Sequence, residues 1–297
     1  MKALKSLLLI LLLLPLTAFA KAPLVFMTDF GVRDGAVSAM KGVAYGISPD
    51  LLISDLSHEI TGIFDGAYRL YQTEEFWPRS TVFVTVIDPG VGTSRQSVVL
   101  RTRNGQYFVG PNNGLYTLVA EREGIDELRL IDEKVNRRPG SAGSYTFHGR
   151  DVFAYTAAKL ASGQITFEQV GPRLPNSDLI SIPYRHAERQ GDVITGGIPV
   201  LDVAYGNVWS NIPQSMFDEL KVRVGEPLNV RIYNGTKLVH EERIPYQHTF
   251  GNVPVGQPLI YVNSLMNIAI ALNQGNYAVA HGIESGGECW MEIQKSK

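Results

Sequence analysis

The chain has 297 residues, 44% hydrophobic and 19% charged, with 29 glycines and 16 prolines; this is a globular composition that excludes disordered, collagen-like and coiled-coil proteins. Twenty-seven basic against 29 acidic residues give a net charge of −2, with no basic footprint for nucleic acid or a membrane surface. The single cysteine, Cys289, excludes an intrachain disulfide and a four-cysteine zinc site.

Lys2 and Lys5 precede an unbroken aliphatic run from Leu7 to Leu14, Pro15 ends it, and Ala18-Phe19-Ala20 fits the small-x-small rule for cleavage. Residues 1–20 read as a secretory signal peptide, because the run is too short to span a bilayer. The remaining chain is expected to be secreted into the periplasm, without membrane attachment after cleavage.

From Leu24 onward, β-branched runs alternate with amphipathic stretches. Leu24–Met27 reads as a buried strand, 35–45 as a helix, 53–56 as a strand, 64–76 as a helix and 81–87 as the strongest strand. Strands at 98–100 and 107–109 follow, then helices at 115–122 and 151–161, the latter closed by Gly163. This alternation predicts an α/β domain over 21–186 with a largely parallel sheet. Past a Pro/Gly-rich linker, helical periodicity fades. Strand-like segments at 193–203, 220–224, 228–233, 237–244, 259–262, 278–282 and 288–293 predict a smaller all-β domain over 187–297, a sandwich or barrel.

Ligands of open α/β sheets bind off the carboxyl ends of the strands. Asp29 and Asp88 stand there, Asp29 able to hold a vicinal diol as acids do with ribose. Arg95 follows a Pro-Gly-Val-Gly loop, and His148 precedes a helix. The six histidines lack the HxH and HExxH spacings, which argues against a metal. There is no G-x-S-x-G elbow, P-loop or G-x-G-x-x-G, so serine hydrolysis and standard nucleotide binding lose ground.

The motifs taken in order go further: Thr28-Asp29-Phe30-Gly31 with Asp34, Asp55-Leu-Ser-His-Glu-Ile60, Asp88-Pro-Gly-Val-Gly92 with Arg95, Val109-Gly-Pro-Asn-Asn-Gly-Leu115, Phe147-His-Gly-Arg-Asp151, Asp202-Val-Ala-Tyr-Gly-Asn207, Asn263-Ser264 and Asn273-Gln-Gly-Asn276. Together they resemble the S-adenosyl-L-methionine (SAM) hydroxide adenosyltransferase family, relatives of the SAM-dependent chlorinases and fluorinases. The resemblance implies a Rossmann-like N-terminal domain, a barrel-like C-terminal domain and a homotrimer with sites between subunits. It also implies hydrolysis of SAM to adenosine and L-methionine by water attacking C5′, with SAM as substrate and no cofactor or metal. By the same resemblance, Asp88, Arg95 and His148 activate the water, a set the halogenase relatives lack. Asp29 then binds ribose, Asp34, Asp202 and Ser264 meet the methionine end, and Asn207 and Trp209 border adenine. Asn112 stands where relatives often carry Asp, and Phe64 is a candidate aromatic neighbour of the reacting carbon. Two other functions fit the same pocket: an exported protein that binds or senses adenosine-like ligands without turnover, and a SAM-dependent halogenase.

Overall fold

The computed structural model describes residues 21–295, so the signal-peptide assignment at 1–20 lies outside the described residues. The N-terminal half runs β1 (Leu24–Thr28), α1 (Ala36–Ile47), β2 (Ile53–Ser57), α2 (Ile63–Thr73), β3 (Val82–Val86), β4 (Ser97–Thr102), β5 (Tyr107–Pro111), α3 (Thr117–Glu123), β6 (Ile125–Leu130), a π-helical turn (Gly149–Ala154), α4 (Tyr155–Ala161) and β7 (Arg173–Leu174). Its strands form one seven-stranded sheet in the order β2-β1-β3-β5-β4-β6-β7. Every residue of β1 and β3 is buried, as expected of strands covered on both faces. Alternation divides them between two cores. Leu24 and Phe26 pack with Met40 and Ala44 of α1 and Ala157 and Ala158 of α4. Val25 and Met27 pack with Leu70 of α2 and Val119 of α3 on the other face.

The sheet is mixed rather than largely parallel. β2, β1, β3 and β5 are parallel neighbours, whereas β4, β6 and β7 add on antiparallel. The reason is the Asn104-Gly105 turn between β4 and β5, with Gly105 at φ +90°. A connection that short makes a hairpin, because a parallel pair needs a long crossover.

The C-terminal half contains β8 (Glu188–Gln190), β9 (Val193–Ile198), β10 (Val200–Leu201), β11 (Val208–Pro213), α5 (Gln214–Asp218), β12 (Pro227–Asn234), β13 (Lys237–Pro245), β14 (Pro258–Val262), β15 (Asn267–Leu272), α6 (Tyr277–His281) and β16 (Gly286–Lys295). They build two antiparallel sheets, β10-β11-β15-β14 and β13-β12-β16-β9-β8, around one core. To that core β12 sends Leu228, Val230 and Ile232 and β15 sends Ile268 and Ile270. No closed barrel forms among the described residues, which corrects the barrel-like expectation. Two expected strands are also absent. Residues 220–224 form an irregular segment between two turns, with Lys221 at φ +51°. Residues 278–282 belong to α6 and its C-cap: Asn276 Oδ1 accepts from the Val279 amide at 2.8 Å, and Gly282 ends the helix at φ +62°. Among the described residues, no helix is long and apolar enough to cross a membrane.

Candidate active site

The ends of β1 and β3 bring Asp29 and Asp88 together. Thr28, the last residue of β1, is buried and its Oγ1 lies 2.9 Å from His58 Nδ1, while His58 Nε2 stands 3.0 Å from Asp55 Oδ1. His58 thus ties the ends of β1 and β2. The next residues turn away: the Gly31 amide donates to the His58 carbonyl at 2.7 Å with Gly31 at φ +67°, a conformation that suits glycine. Asp29 projects from this turn. Partial desolvation pushes its carboxyl above the usual range, opposed by a hydrogen bond from its own backbone amide, and the Asp88 charge pushes it further up.

Asp88 follows β3 and heads a loop that folds back on itself. The Val91 amide donates to the Asp88 carbonyl, and Thr93 Oγ1 donates to the Gly90 carbonyl at 2.7 Å while accepting from the Arg95 amide. That curl returns Arg95 to Asp88. Arg95 Nε lies 2.8 Å from Asp88 Oδ1 and 3.1 Å from Oδ2, and Nη2 also donates to Oδ2. The side chains are only 4% (Asp88) and 9% (Arg95) exposed, so this is a buried, forked pair, in which removing one partner strands the other.

The same guanidinium reaches further. Its Nη2 stands 2.9 Å from His148 Nδ1, and its Nη1 donates to Ser97 Oγ at 2.9 Å. Ser97 Oγ donates to Glu133 Oε1 at 3.0 Å, Arg137 Nη2 donates to Glu133 Oε2 at 2.6 Å, and Arg137 Nη2 lies 3.2 Å from His148 Nε2. Arg95, Ser97, Glu133, Arg137 and His148 therefore form a closed ring of polar contacts. His148 precedes the π-helical turn, a device common at functional sites. Within that turn Asp151, almost fully buried, holds Arg138 and Arg150 at 2.7–2.8 Å. Phe153 walls the set, edge-on to His148 and 5.2 Å beneath the Arg95 guanidinium.

Burial and the charges of this ring together act on His148. Burial pushes its pKa below the ordinary value, Glu133 and Asp88 push it up, and Arg95 and Arg137 push it down. An imidazolium would put two N–H groups against two guanidinium ions, which have donors and no acceptors. Burial and the two guanidiniums thus favour the neutral imidazole, one of whose nitrogens can accept from arginine.

Asp29, Asp88, Arg95 and His148 are thus drawn to one end of the sheet. Asp34 sits nearby in sequence and accepts from the Ala36 amide at 2.9 Å at the start of α1. The C-terminal residues lie elsewhere. Asp202 accepts from the Ala204 amide at 3.1 Å and from Asn207 Nδ2 at 3.3 Å, closing the 202–207 turn. Gly206 is required there, at φ +66° with Asn276 where a Cβ would stand. Asn207 is buried. Trp209 is half-buried and packs on Leu259, Tyr261 and Ala269. Burial pushes the Tyr261 phenol up to about 12, opposed by Trp209 and Asn207 nearby and reinforced by Asp202. Ser264 is exposed at the tip between β14 and β15. Among the described residues, no hydrogen bond or ion pair joins Asp202, Asn207, Trp209 or Ser264 to Asp29, Asp88, Arg95 or His148. A cleft of about 900 Å³ is lined by Glu59, Phe64, Asp65, Asp202 and Asn276 and includes none of the Asp88 set. Phe64 there packs against Tyr184, with ring centroids 5.8 Å apart.

Sequence reasoning missed Ser97, Glu133 and Arg137. Ser97 shares the Arg95 segment, and Glu133 and Arg137 carry an i, i+4 ion-pair spacing that could have drawn notice, although they sit in a turn. Asn112 has a structural explanation. Its Nδ2 donates to the Asp178 carbonyl at 2.8 Å and to Gln96 Oε1 at 3.2 Å, and its Oδ1 accepts from the Ile180 amide at 2.9 Å. An aspartate could not make both donations.

A twisted α/β sheet carrying a buried carboxylate–guanidinium–imidazole set off its strand ends is the arrangement of a small-molecule enzyme. Residues 24–171 match the SAM hydroxide adenosyltransferase N-terminal domain and residues 196–290 the C-terminal domain of the same family; the chain belongs to that family. It is 33% identical to an (R)-S-adenosyl-L-methionine hydrolase of Thermus thermophilus, over 89% of this chain and 97% of that one. It is 27% identical to a fluorinase of Actinopolyspora mzabensis, over 91% and 96%. The crystal structure of an uncharacterized conserved protein from Thermotoga maritima superposes with a TM-score of 0.81 at 34% identity, covering 92% of this chain and 100% of that one.

Proposed function

We propose that this protein hydrolyses SAM, water displacing the thioether at C5′ to give adenosine, L-methionine and a proton. The observation that carries the reading is the Arg95 guanidinium, bonded to Asp88 on one side and to His148 on the other. The leaving group is a neutral thioether, so no general acid is needed, and the demand falls on placing a water in line with the C–S bond and removing its proton. Arg95 fixes Asp88, which faces that water, and His148. Asp88 is the anionic member, and its Oδ1, which takes a single bond from Arg95 while Oδ2 takes two, keeps a lone pair free to accept the proton. His148, held toward the neutral form by burial and by the two guanidiniums, has both ring nitrogens on arginines and so orients the water through Arg95, whose fork it braces. Asp29 receives the ribose hydroxyls. A halide would have no use for a carboxylate at its site, which separates this chemistry from that of the fluorinase relatives.

The C-terminal residues reach such a site from a neighbouring subunit in this reading, a homotrimer in which Asp34, Asp202 and Ser264 meet the methionine end and Asn207 and Trp209 border adenine. Exposed apolar side chains beside both sets support it: Val32 on one side, and Val203, Tyr205 and Met266 on the other, all at least 60% exposed. Export with cleavage after Ala20 completes the proposal and is checked by the N-terminus of the mature protein. Incubating purified protein with SAM, with and without chloride, tests the function. Adenosine and methionine in both cases support it. A 5′-chlorinated nucleoside identifies a halogenase, and tight adenosine binding without product identifies a binding protein.

A further inference from the structure

The edge strand β13 breaks its own pattern. Its register pairs Leu228 with Ile244, Val230 with Glu242 and Ile232 with His240. The β12 partners are all in the C-terminal core, so 240, 242 and 244 share the inward face. Alternation calls for apolar residues there, and Ile244 obeys while His240 and Glu242 do not. Departures from a local rule in an otherwise consistent element mark functional candidates. A third polar group arrives from another element: His281, in the last turn of α6, packs against His240 with ring centroids 4.0 Å apart and the planes tilted by 34°.

We infer that His240, Glu242 and His281 bind a divalent first-row transition-metal ion, Zn²⁺ being the best match, which fastens α6 to the sheet edge. One ligand atom from each lies within 4.8 Å of the others, and His240 Nε2 and Glu242 Oε2 are 3.2 Å apart. Two imidazole nitrogens and one carboxylate oxygen form a zinc donor set that leaves a fourth position for water. Tetrahedral bonds of about 2.0–2.2 Å set ligand atoms about 3.3–3.6 Å apart, a spacing near that of the His240–Glu242 pair already, and small side-chain rotations bring the remaining separations to it. Tyr277, one turn before His281, donates its hydroxyl to Glu242 Oε2 at 3.0 Å, the outer contact that orients a ligating carboxylate. An ordinary ion pair would need Glu242 and one histidine, and the second imidazole is surplus to it. The His240 and Glu242 side chains are 18% and 32% exposed, so an ion can reach them. The helix so fastened begins at Asn276, which lines the cleft that also holds Asp202.

The test uses untagged protein stripped with a chelator and titrated with Zn²⁺ by calorimetry and with Co²⁺ by visible absorption. The expected result is one ion per chain, the intense visible bands of a tetrahedral cobalt ion, and a melting temperature that rises with zinc. His281→Asn should abolish the cobalt bands and the zinc-dependent rise. Tyr277→Phe, which keeps the packing, should weaken zinc binding about tenfold. Absence of stoichiometric binding, or binding that survives both His281→Asn and His240→Gln, overturns the assignment.

Discussion

Arg95→Lys isolates what the guanidinium does beyond carrying charge. A lysine ammonium could still neutralise Asp88, but it is a point donor on a flexible stem and cannot hold Asp88, Ser97 and His148 together as the fork does. The variant loses the 2.9 Å contacts to Ser97 and His148 and one arm of the Asp88 pair. A hydrogen bond involving a charged group contributes about 1.5–3 kcal/mol. Should one such contact be expressed in the transition state through the placement of His148, kcat falls by about 10- to 100-fold, at about 1.4 kcal/mol per tenfold. Because Asp88 and Arg95 are 4% and 9% exposed, stability should fall by a further about 1–3 kcal/mol. Adenosine release followed by chromatography gives kcat, and urea unfolding gives stability. A folded variant that turns over SAM within about twofold of the parent would show that charge alone suffices and that the fork is not a positioning device.

The charges around His148 predict opposite responses from two neighbours. Glu133→Gln removes a group that pushes the imidazole pKa up, and Arg137→Gln removes one that pushes it down, so the acid limb of kcat/KM should move to lower pH in the first and higher pH in the second; movement in the same direction would contradict the ring. The His148 pKa lies below its ordinary 6.5 in the fold, so its contribution to stability is present above that value and is lost as pH falls through it toward the folded value; unfolding of the parent and His148→Gln from pH 7 downward should show the difference. Asp29→Ala should weaken adenosine binding by about tenfold or more, and binding to the parent should decline toward acid pH as the raised carboxyl protonates; an unaltered dissociation constant removes Asp29 from the ribose. Gly206→Ala meets Asn276 at 1.9 Å and a φ of +66°, and should cost about 1–3 kcal/mol of stability by urea unfolding; an unchanged midpoint would mean the 202–207 turn adapts freely.

Much of the core was legible because its signals are local and strong. The runs at Leu24 and Val82 are buried along their whole length, and the Asp88, Arg95 and His148 motifs meet in space although 53 residues separate Arg95 from His148. Strand direction was harder, because it depends on connections. The short Asn104-Gly105 turn carries that information. β6 escaped notice since Asp126, Glu127 and Arg129 interrupt its apolar run at the side of the sheet where solvent reaches it. α6 read as a strand because a five-residue helix shows too little periodicity, so that only its caps, Asn276 and Gly282, distinguish it. The polar ring around His148 depends on residues far apart in sequence, and no spacing rule reports that Ser97 and Glu133 meet.

The central claim is that a water molecule, held by the Asp88, Arg95 and His148 set, attacks C5′. Turnover of SAM in water labelled with heavy oxygen tests it most directly, with the adenosine analysed by mass spectrometry. One heavy oxygen at the 5′ position of adenosine, with none in methionine, is the result expected. Adenosine without the label, or a product cleaved at another bond of the sulfonium, would contradict the account.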